Sequence, residues 1–189
     1  MKNTIRNRFT LLAAMSAGLI WSGCNGSDDP ASPPTGNTHA ALLDACGLLT
    51  SAEAAVILGK PILEVKTDTV NYVTWCSYVG SVNPGFLLPS HVDLTVLTTA
   101  GMQTGQPGSS LTVPTYFAAI KNALPAMDQV QLTGIGTDAI WKKKPGELAF
   151  YKGDVNVDIR YSPNGKLVDT STASLEGCKS AALSAAGRI

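Results

Sequence analysis

The N-terminal 23 residues form three zones that limit how much of this chain can take part in a fold. The first eight residues carry three basic side chains and no acidic one, and residues 9–21 carry no charge. This uncharged run is shorter than the roughly 20 residues that a helix needs to cross a bilayer. A basic start, a short apolar run and small residues after it are typical of a removable signal peptide. We therefore predict that residues 1–23 are a signal peptide outside the folded domain.

Small residues, Ser22 and Gly23, stand directly before Cys24. This end of an apolar run resembles the lipobox of bacterial lipoproteins, although Trp21 stands where that family usually has Leu. The resemblance implies that the Cys24 thiol is diacylglyceryl-modified, that the signal is cut just before it, and that the new amino group is acylated. Two or more acyl chains anchor a protein stably. The alternative is an ordinary secretory signal that is cut nearby.

Residues 24–40 have the composition of a tether. Between Asn25 and Thr38 the chain has no apolar residue larger than Ala31. Such a segment buries too little surface to offset its ordering entropy, so a disordered linker after the lipidated Cys24 is expected. The resemblance also implies sorting to the outer membrane, facing the periplasm, if the host has two membranes, because Asn25 rather than Asp follows the cysteine. The predicted partner is thus a membrane, bound through lipid on Cys24.

Loss of the signal changes the charge balance of the chain. It leaves 11 of the 14 basic residues and all 14 acidic ones, a net charge of −3. This mild acidity argues against nucleic acid as a partner, because nucleic acid requires a clustered basic face. The single basic run, Lys142-Lys143-Lys144, precedes Pro145-Gly146 and is predicted to be a solvated hairpin tip.

Three cysteines would remain after lipidation of Cys24, in an oxidising compartment that favours pairing. A bond between Cys46 and Cys76 would join the start of a predicted helix to a predicted strand. Cys178 would then be the odd cysteine, expected as a buried free thiol, with an intermolecular bridge or a reactive thiol as the alternatives. No Cys-x-x-Cys occurs and no His adjoins a Cys, so neither a zinc site nor any other cofactor is expected.

Hydrophobic and turn patterns in residues 41–189 predict one folded domain. Thr50 and Glu53 have the spacing of a helix capping box, Gly59 ends that helix, and Pro114 suits the first turn of another. The predicted helices are 50–58, 114–124 and 174–186, and the predicted strands are 62–66, 72–79, 91–98, 130–133, 139–142, 147–152 and 155–161.

Turn residues decide how the predicted strands connect. Turns at Pro145-Gly146 and Gly153-Asp154 make the last strands antiparallel neighbours. A polar turn is expected at 67–71, and Gly101–Ser110 is expected to be a glycine-rich loop that is mobile or lines a binding surface. The fold class is therefore α+β, an antiparallel β-sheet with two or three flanking helices in a single domain.

Several short motifs occur in a recognisable order along the domain. They are Cys46-Gly47-Leu48-Leu49-Thr50, Leu58-Gly59, Cys76-Ser77-Tyr78 and Gly134-Ile135-Gly136-Thr137-Asp138-Ala139. This order resembles a family of small uncharacterised bacterial lipoproteins, although Thr137 shifts the acidic residue by one position. The resemblance implies that Cys46 and Cys76 are paired and that the fold is a small PsbP-like α+β module. It implies no activity, because the family has no agreed one.

Other patterns suggest chemistry but have simpler explanations. Gly134-x-Gly136-x-x-Ala139 matches a dinucleotide fingerprint as a string, but the predicted strand after it replaces the helix that a pyrophosphate needs. His91, the one histidine of the domain, is predicted to be a surface or capping residue. Asp154 and Asp158 share one side of a strand and are expected on the wet face of the sheet, with an acid/base pair as the alternative. Among the aromatic residues, Trp141 is the first candidate for exposure.

No catalytic arrangement can be assembled from these residues. The leading hypothesis is a non-enzymatic, membrane-tethered binding or accessory module of the cell envelope that binds a protein or a small ligand. The alternative is an envelope hydrolase that uses Asp or Glu residues, with the Gly101–Ser110 loop over its site. A structural subunit of an envelope complex is a third possibility.

Overall fold

The computed structural model describes residues 42–165 and 170–189. The predictions for the signal peptide, for lipid on Cys24 and for the linker up to residue 40 lie outside the described residues.

The described residues form one seven-stranded sheet in which every neighbouring pair is antiparallel. The strand order is β1-β2-β3-β7-β6-β5-β4. The strands are β1 (Ile62–Val70), β2 (Val73–Val82), β3 (Pro89–Thr98), β4 (Gln129–Leu132), β5 (Asp138–Lys142), β6 (Glu147–Lys152) and β7 (Val155–Ser162). The helices are α1 (Ser51–Leu58), α2 (Thr99–Gly105), α3 (Val113–Ala123) and α4 (Thr172–Ala186). The class is α+β, as predicted, with one helix more than expected in the described part.

The additional helix, α2, corrects the prediction of a loop at Gly101–Ser110. The side chain of Thr98 caps α2 by accepting a hydrogen bond from Gly101 N at 2.9 Å. Gly105, which reads as a loop residue in the sequence, is needed because a Cβ there would lie 1.7 Å from Cδ1 of Tyr72. Close packing against an aromatic ring therefore explains a glycine that suggests a flexible segment.

A second correction concerns the turn between β1 and β2. The predicted turn at 67–71 is shorter in the structure, because Val70 still pairs with Val73. Asn71 adopts the left-handed conformation with φ 56°, which Asn tolerates better than most residues. The β-branched Thr67 and Thr69 extend the first strand instead of breaking it.

One face of the sheet carries α1, α4 and the 3-10 segment Ala45–Leu48 over the main apolar core. Cys76 and Tyr78 are two residues apart on β2, so both point to this face. Cys76 forms a disulfide with Cys46 with a Cα–Cα distance of 5.2 Å, which is consistent with the expected pairing. The Tyr78 hydroxyl donates to Cys46 O at 3.0 Å and also contacts Leu49 O. The Cys-x-Tyr motif thus attaches the 45–49 segment to the sheet.

The capping box that begins α1 also binds the C-terminal end of the chain. Thr50 Oγ1 accepts from Glu53 N at 3.2 Å, and Glu53 Oε2 accepts from Thr50 N at 2.8 Å, as predicted. Gly59 ends the helix with φ 67°. Arg188 Nη2, just beyond α4, donates to both carboxylate oxygens of Glu53 at 2.7 Å. One carboxylate therefore caps α1 and connects it to α4.

The Glu53 carboxylate should make the free energy of unfolding depend on pH in the acidic range. Hydrogen bonds from Arg188 and Thr50 lower the pKa of Glu53 from 4.5 to about 2. Because the folded pKa is the lower one, the stabilisation is complete above about pH 4.5 and is lost as the pH falls through about 2. We expect Glu53→Gln to remove this part of the pH dependence, measured as urea midpoints between pH 6 and pH 2.5. Glu176→Gln, which removes the exposed pair with Lys179, is the control, and equal pH curves for the two variants would refute the assignment.

The opposite face of the sheet carries α2 and α3. Leu97 packs with Met102 and Val113, while Ile140 and Ala149 pack under Phe117. Because Ile140 alternates with residues of the main core along β5, these contacts lie on the second face. The domain therefore has helices on both sides of the sheet.

Two residues singled out in the sequence lie in the main core. Cys178 is free and buried, its Sγ donates to Ile159 O at 3.3 Å, and burial raises its pKa to about 12. This matches the predicted buried free thiol. Trp141, the first candidate for exposure among the aromatic residues, is 3% exposed and pairs with Leu148, so it belongs to the core.

Candidate functional site

Strand register aligns one row of polar side chains across six strands of the sheet, on the face that carries α2 and α3. From β1 to β3 and β7, and from β6 to β5, each residue of the row is the pairing partner of the next. Between β7 and β6 a hydrogen bond joins the row, from Arg160 Nη2 to Glu147 Oε2 at 3.1 Å. We call this set the polar row. From β1 to β5 it comprises Lys66, Ser77, Asp93, Arg160, Glu147 and Lys142.

The polar row follows from the alternation of the strand sequences. On β7, Asp158 and Arg160 alternate with the fully buried Val157 and Ile159 of the main core. Phe117 on α3 packs against Ala149 on β6. Ala149 pairs with Asp158, the residue before Arg160 on the same face of β7. The row therefore begins where the apolar packing of this face ends, as expected for the wet side of an antiparallel sheet.

Lys142 is the most enclosed cation of the row, with 11% of its side chain exposed. Its ammonium donates to Asp158 Oδ1 at 2.8 Å and also binds the carboxylate of Glu147. Burial opposes the charge, but these two carboxylates outweigh it and raise the pKa of Lys142 above its usual value. The prediction that the whole lysine run is a solvated tip is thus wrong for Lys142, whereas Lys144 is 81% exposed.

The second carboxylate in this cluster, Asp158, is held by side chains of β5 and β7. It accepts from Lys142 on β5 and from Asn156 Nδ2 at 2.9 Å on its own strand. Burial raises the pKa of Asp158 above its usual value, although the Lys142 ammonium opposes this. Burial and then the charge of Asp158 raise the pKa of the Tyr116 hydroxyl on α3.

Asp154 and Asp158, for which an acid/base pair was the alternative to a wet sheet face, are not assembled into a pair. Asp154 lies in the turn between β6 and β7, where its Oδ1 accepts from Thr99 Oγ1 at 3.3 Å. Glu147 takes its place beside Asp158, with Lys142 between the two carboxylates. A signal for this was present in the sequence, because a hairpin turn at 143–146 places residues 142 and 147 opposite each other.

His91 and Asp93 form the β3 part of this face. His91 Nε2 lies 3.5 Å from Asp93 Oδ2, and its Nδ1 lies 3.3 Å from Pro89 O. The His91 side chain is 17% exposed, so it is more enclosed than the predicted surface residue. Asp93 is 19% exposed and lies directly opposite Arg160.

Two buried side-chain atoms on this face, among the described residues, have no hydrogen-bond partner. They are Arg160 Nε and Asn156 Oδ1. Buried polar atoms are nearly always paired, so each exception calls for a physical explanation. Arg160 Nε is a donor in the polar row, and its guanidinium is already fixed through Nη2 on Glu147. Arg160 Nε is therefore a buried donor in the polar row that has no partner within the described residues.

The glycines of the dinucleotide-like string serve a turn, as predicted. Gly134 and Gly136 have φ of 79° and 58°, and β5 rather than a helix follows them. A Cβ at Gly136 would lie 2.4 Å from Tyr151 O. The helix N-terminus that would hold a pyrophosphate is replaced by a strand.

Two grooves flank α4. One, of about 320 Å³, is lined by Ala52, Glu53, Val56, Ile57, Ser180 and Ser184. The other, of about 280 Å³, is lined by Gln131, Leu132, Thr133, Ile135, Lys179 and Leu183. Neither groove includes Glu147 or Asp158.

Within residues 42–165 and 170–189, no three His, Cys, Asp or Glu side chains are grouped so that they could hold a metal ion. In the same ranges, none of the helices has the length and apolar character needed to cross a bilayer. No known protein family, curated protein or solved structure gives a significant match to this chain.

Proposed function

We propose that this chain is a bacterial lipoprotein, tethered to a membrane through lipid on Cys24, whose domain is a non-enzymatic binding module of the cell envelope. The tether is supported by the signal-like residues 1–23 and by Ser22-Gly23 before the cysteine. The Cys46–Cys76 disulfide is compatible with an oxidising compartment. Sorting to the outer membrane follows if the host has two membranes.

The observation that carries the binding proposal is the buried, unpaired Arg160 Nε in the polar row. Removing a donor from water without giving it a partner costs roughly 1–3 kcal/mol. A ligand that brings a carboxylate or carbonyl oxygen to Arg160, with a turn of the guanidinium that exposes Nε, would recover that cost. The ligand we expect is therefore a protein segment or small molecule with an acceptor group that lies across the strands at Arg160.

The cluster favours binding over hydrolysis. An acid/base mechanism needs a carboxylate that can exchange a proton with the substrate. Glu147 and Asp158 instead both bind the Lys142 ammonium, which occupies these two acids. The binding module is for this reason preferred to the envelope hydrolase.

Photo-crosslinking in intact cells tests the binding proposal. A photoreactive amino acid in place of Lys66, whose side chain is 51% exposed at the outer end of the polar row, should give a defined adduct with an envelope component. The matched control is the same amino acid in place of Thr67, its neighbour on the opposite face of β1. An adduct from position 66 and not from 67 is the expected result.

Arg160→Gln supplies the specific control for this experiment. The Arg160 side chain is 34% exposed, so the substitution should leave the fold intact while removing the donor. We expect the adduct from position 66 to disappear in this variant. No adduct from position 66, equal adducts from positions 66 and 67, or an adduct that persists in Arg160→Gln would each contradict the proposal.

A further inference from the structure

The loop between β2 and β3 has an apolar tip that is open to solvent. Phe86, Leu87 and Leu88 are consecutive and are 40%, 97% and 50% exposed. Exposed large apolar side chains are common singly, but a contiguous group indicates a contact surface. Residues 81–90 contain neither an acidic nor a basic residue.

Hydrogen bonds fix the base of this loop. Asn83 Nδ2 donates to Pro163 O at 2.6 Å, and Phe86 N donates to Asn83 O at 3.0 Å. The Lys60 ammonium donates to Ser90 Oγ at 2.9 Å and also binds Asn83 Oδ1. The tip is therefore held outward on an ordered base, and presenting it costs no further ordering of that base.

Other apolar side chains extend this surface at the same end of the sheet. Val82 is 47% exposed and pairs with Pro89 beside the loop. Leu63 is 70% exposed at the start of β1, where the neighbouring Ile62 pairs with Gly80. We call this surface the apolar end. It comprises Leu63, Val82, Phe86, Leu87 and Leu88.

We propose that the apolar end inserts the side chains of its loop into the interface of a lipid bilayer, as a second membrane contact. The inference rests on the proposed tether for the proximity of that bilayer. A short uncharged tip of Phe and Leu suits the boundary between headgroups and acyl chains, where apolar side chains are buried. A protein interface would instead surround its apolar centre with a polar rim.

The length of the tether permits this contact. The domain begins at the other end of the sheet, because Leu43 O accepts from Thr74 Oγ1 at 2.6 Å near the start of β2. The loop follows the far end of that ten-residue strand, which spans about 33 Å. The 17 residues from 25 to 41 can cover at most roughly 60 Å. The anchor can therefore reach the bilayer while the loop is in it, and the loop then fixes the orientation of the domain.

The test places a photoreactive amino acid at position 87 of the full chain in its native host. Its matched control carries the same amino acid at Gln103, an exposed position of α2 near the opposite end of β3. Mass spectrometry of the peptides should show a phospholipid adduct at position 87 and none at position 103. A protein adduct at 87, no lipid adduct there, or an equal lipid adduct at 103 would overturn the proposal.

The same samples separate this inference from the proposed function. The N-terminal peptide shows whether Cys24 is acylated, independently of what happens at position 87. Acylated Cys24 without a lipid adduct at 87 overturns the loop contact and leaves the tether standing. Unmodified Cys24 with a lipid adduct at 87 supports the loop contact and overturns the tether.

Discussion

Replacing Lys142 by Met is expected to destabilise the domain by about 3 kcal/mol or more at pH 7. Met keeps the length of the side chain but removes the cation that both Glu147 and Asp158 bind. These carboxylate side chains are only 17% and 18% exposed. Removing one partner of a buried ion pair costs roughly 3–5 kcal/mol, because the remaining charge is left in a poorly solvated place.

The pH dependence of this loss has a defined sign. Burial already raises the pKa of Asp158, and removal of Lys142 raises it further because the opposing cation is gone. A folded pKa above the unfolded one means that the folded state binds the proton more tightly. The destabilisation of Lys142→Met is therefore largest near pH 7 and shrinks as the pH falls through the raised pKa.

Lys144→Met is the matched control for this prediction. Lys144 belongs to the same lysine run, but its side chain is 81% exposed and its ammonium lies 3.7 Å from Asp128. Surface substitutions of this kind usually change stability by less than about 0.5 kcal/mol. Urea unfolding of both variants at pH 7 and pH 5 makes the comparison. Equal stability of the two variants at pH 7 would show that Lys142 does not neutralise the two acids.

Removing the Cys46–Cys76 disulfide is expected to have a comparable effect. The bond closes a loop with a sequence separation of 30 residues, for which the entropy of the unfolded chain corresponds to about 3–4 kcal/mol. The variant Cys46→Ala/Cys76→Ala should therefore unfold at a markedly lower urea concentration than the oxidised protein. Because both cysteines contact the main core, the Tyr78 bonds to the 45–49 segment should also weaken.

Reduction of the unmodified protein controls for the substitutions themselves. A reducing agent should lower the urea midpoint of the unmodified chain to about that of the double variant and should leave the variant unchanged. Cys178 does not interfere, because its thiol is buried in the folded state. A double variant as stable as the oxidised protein would contradict the structural role of the bond.

Much of the fold could be predicted because local patterns determine it. The capping box at Thr50 and Glu53, the helix end at Gly59 and the turn glycines at Gly134 and Gly136 are set by residues within a few positions of one another. Alternation of apolar and polar residues likewise predicted the late strands and their antiparallel pairing. Features of this kind depend little on the rest of the chain.

The features that sequence reasoning missed depend on distant contacts. A glycine at position 105 suggests a loop when only the sequence is considered. Its actual cause, the Tyr72 ring that packs against it, comes from a residue 33 positions away. The three lysines after Trp141 suggest that its side chain is exposed. The pairing of β5 with β6 instead directs that side chain toward the main core. The polar row joins residues that are up to 94 positions apart, from Lys66 to Arg160, and it exists only through the register of six strands. Local turns set the pairing within single hairpins, such as Lys142 opposite Glu147, but no local pattern places β3 beside β7.

Lipid on Cys24 is the proposal on which the tether and the nearby bilayer depend. Mass spectrometry of the mature N-terminal peptide, purified from the membranes of the native host, tests it most directly. We expect a chain that begins at Cys24 and carries a diacylglyceryl group on its sulfur and an acyl group on its amino group. A mature chain that begins at another residue, or at an unmodified Cys24, would contradict the proposal.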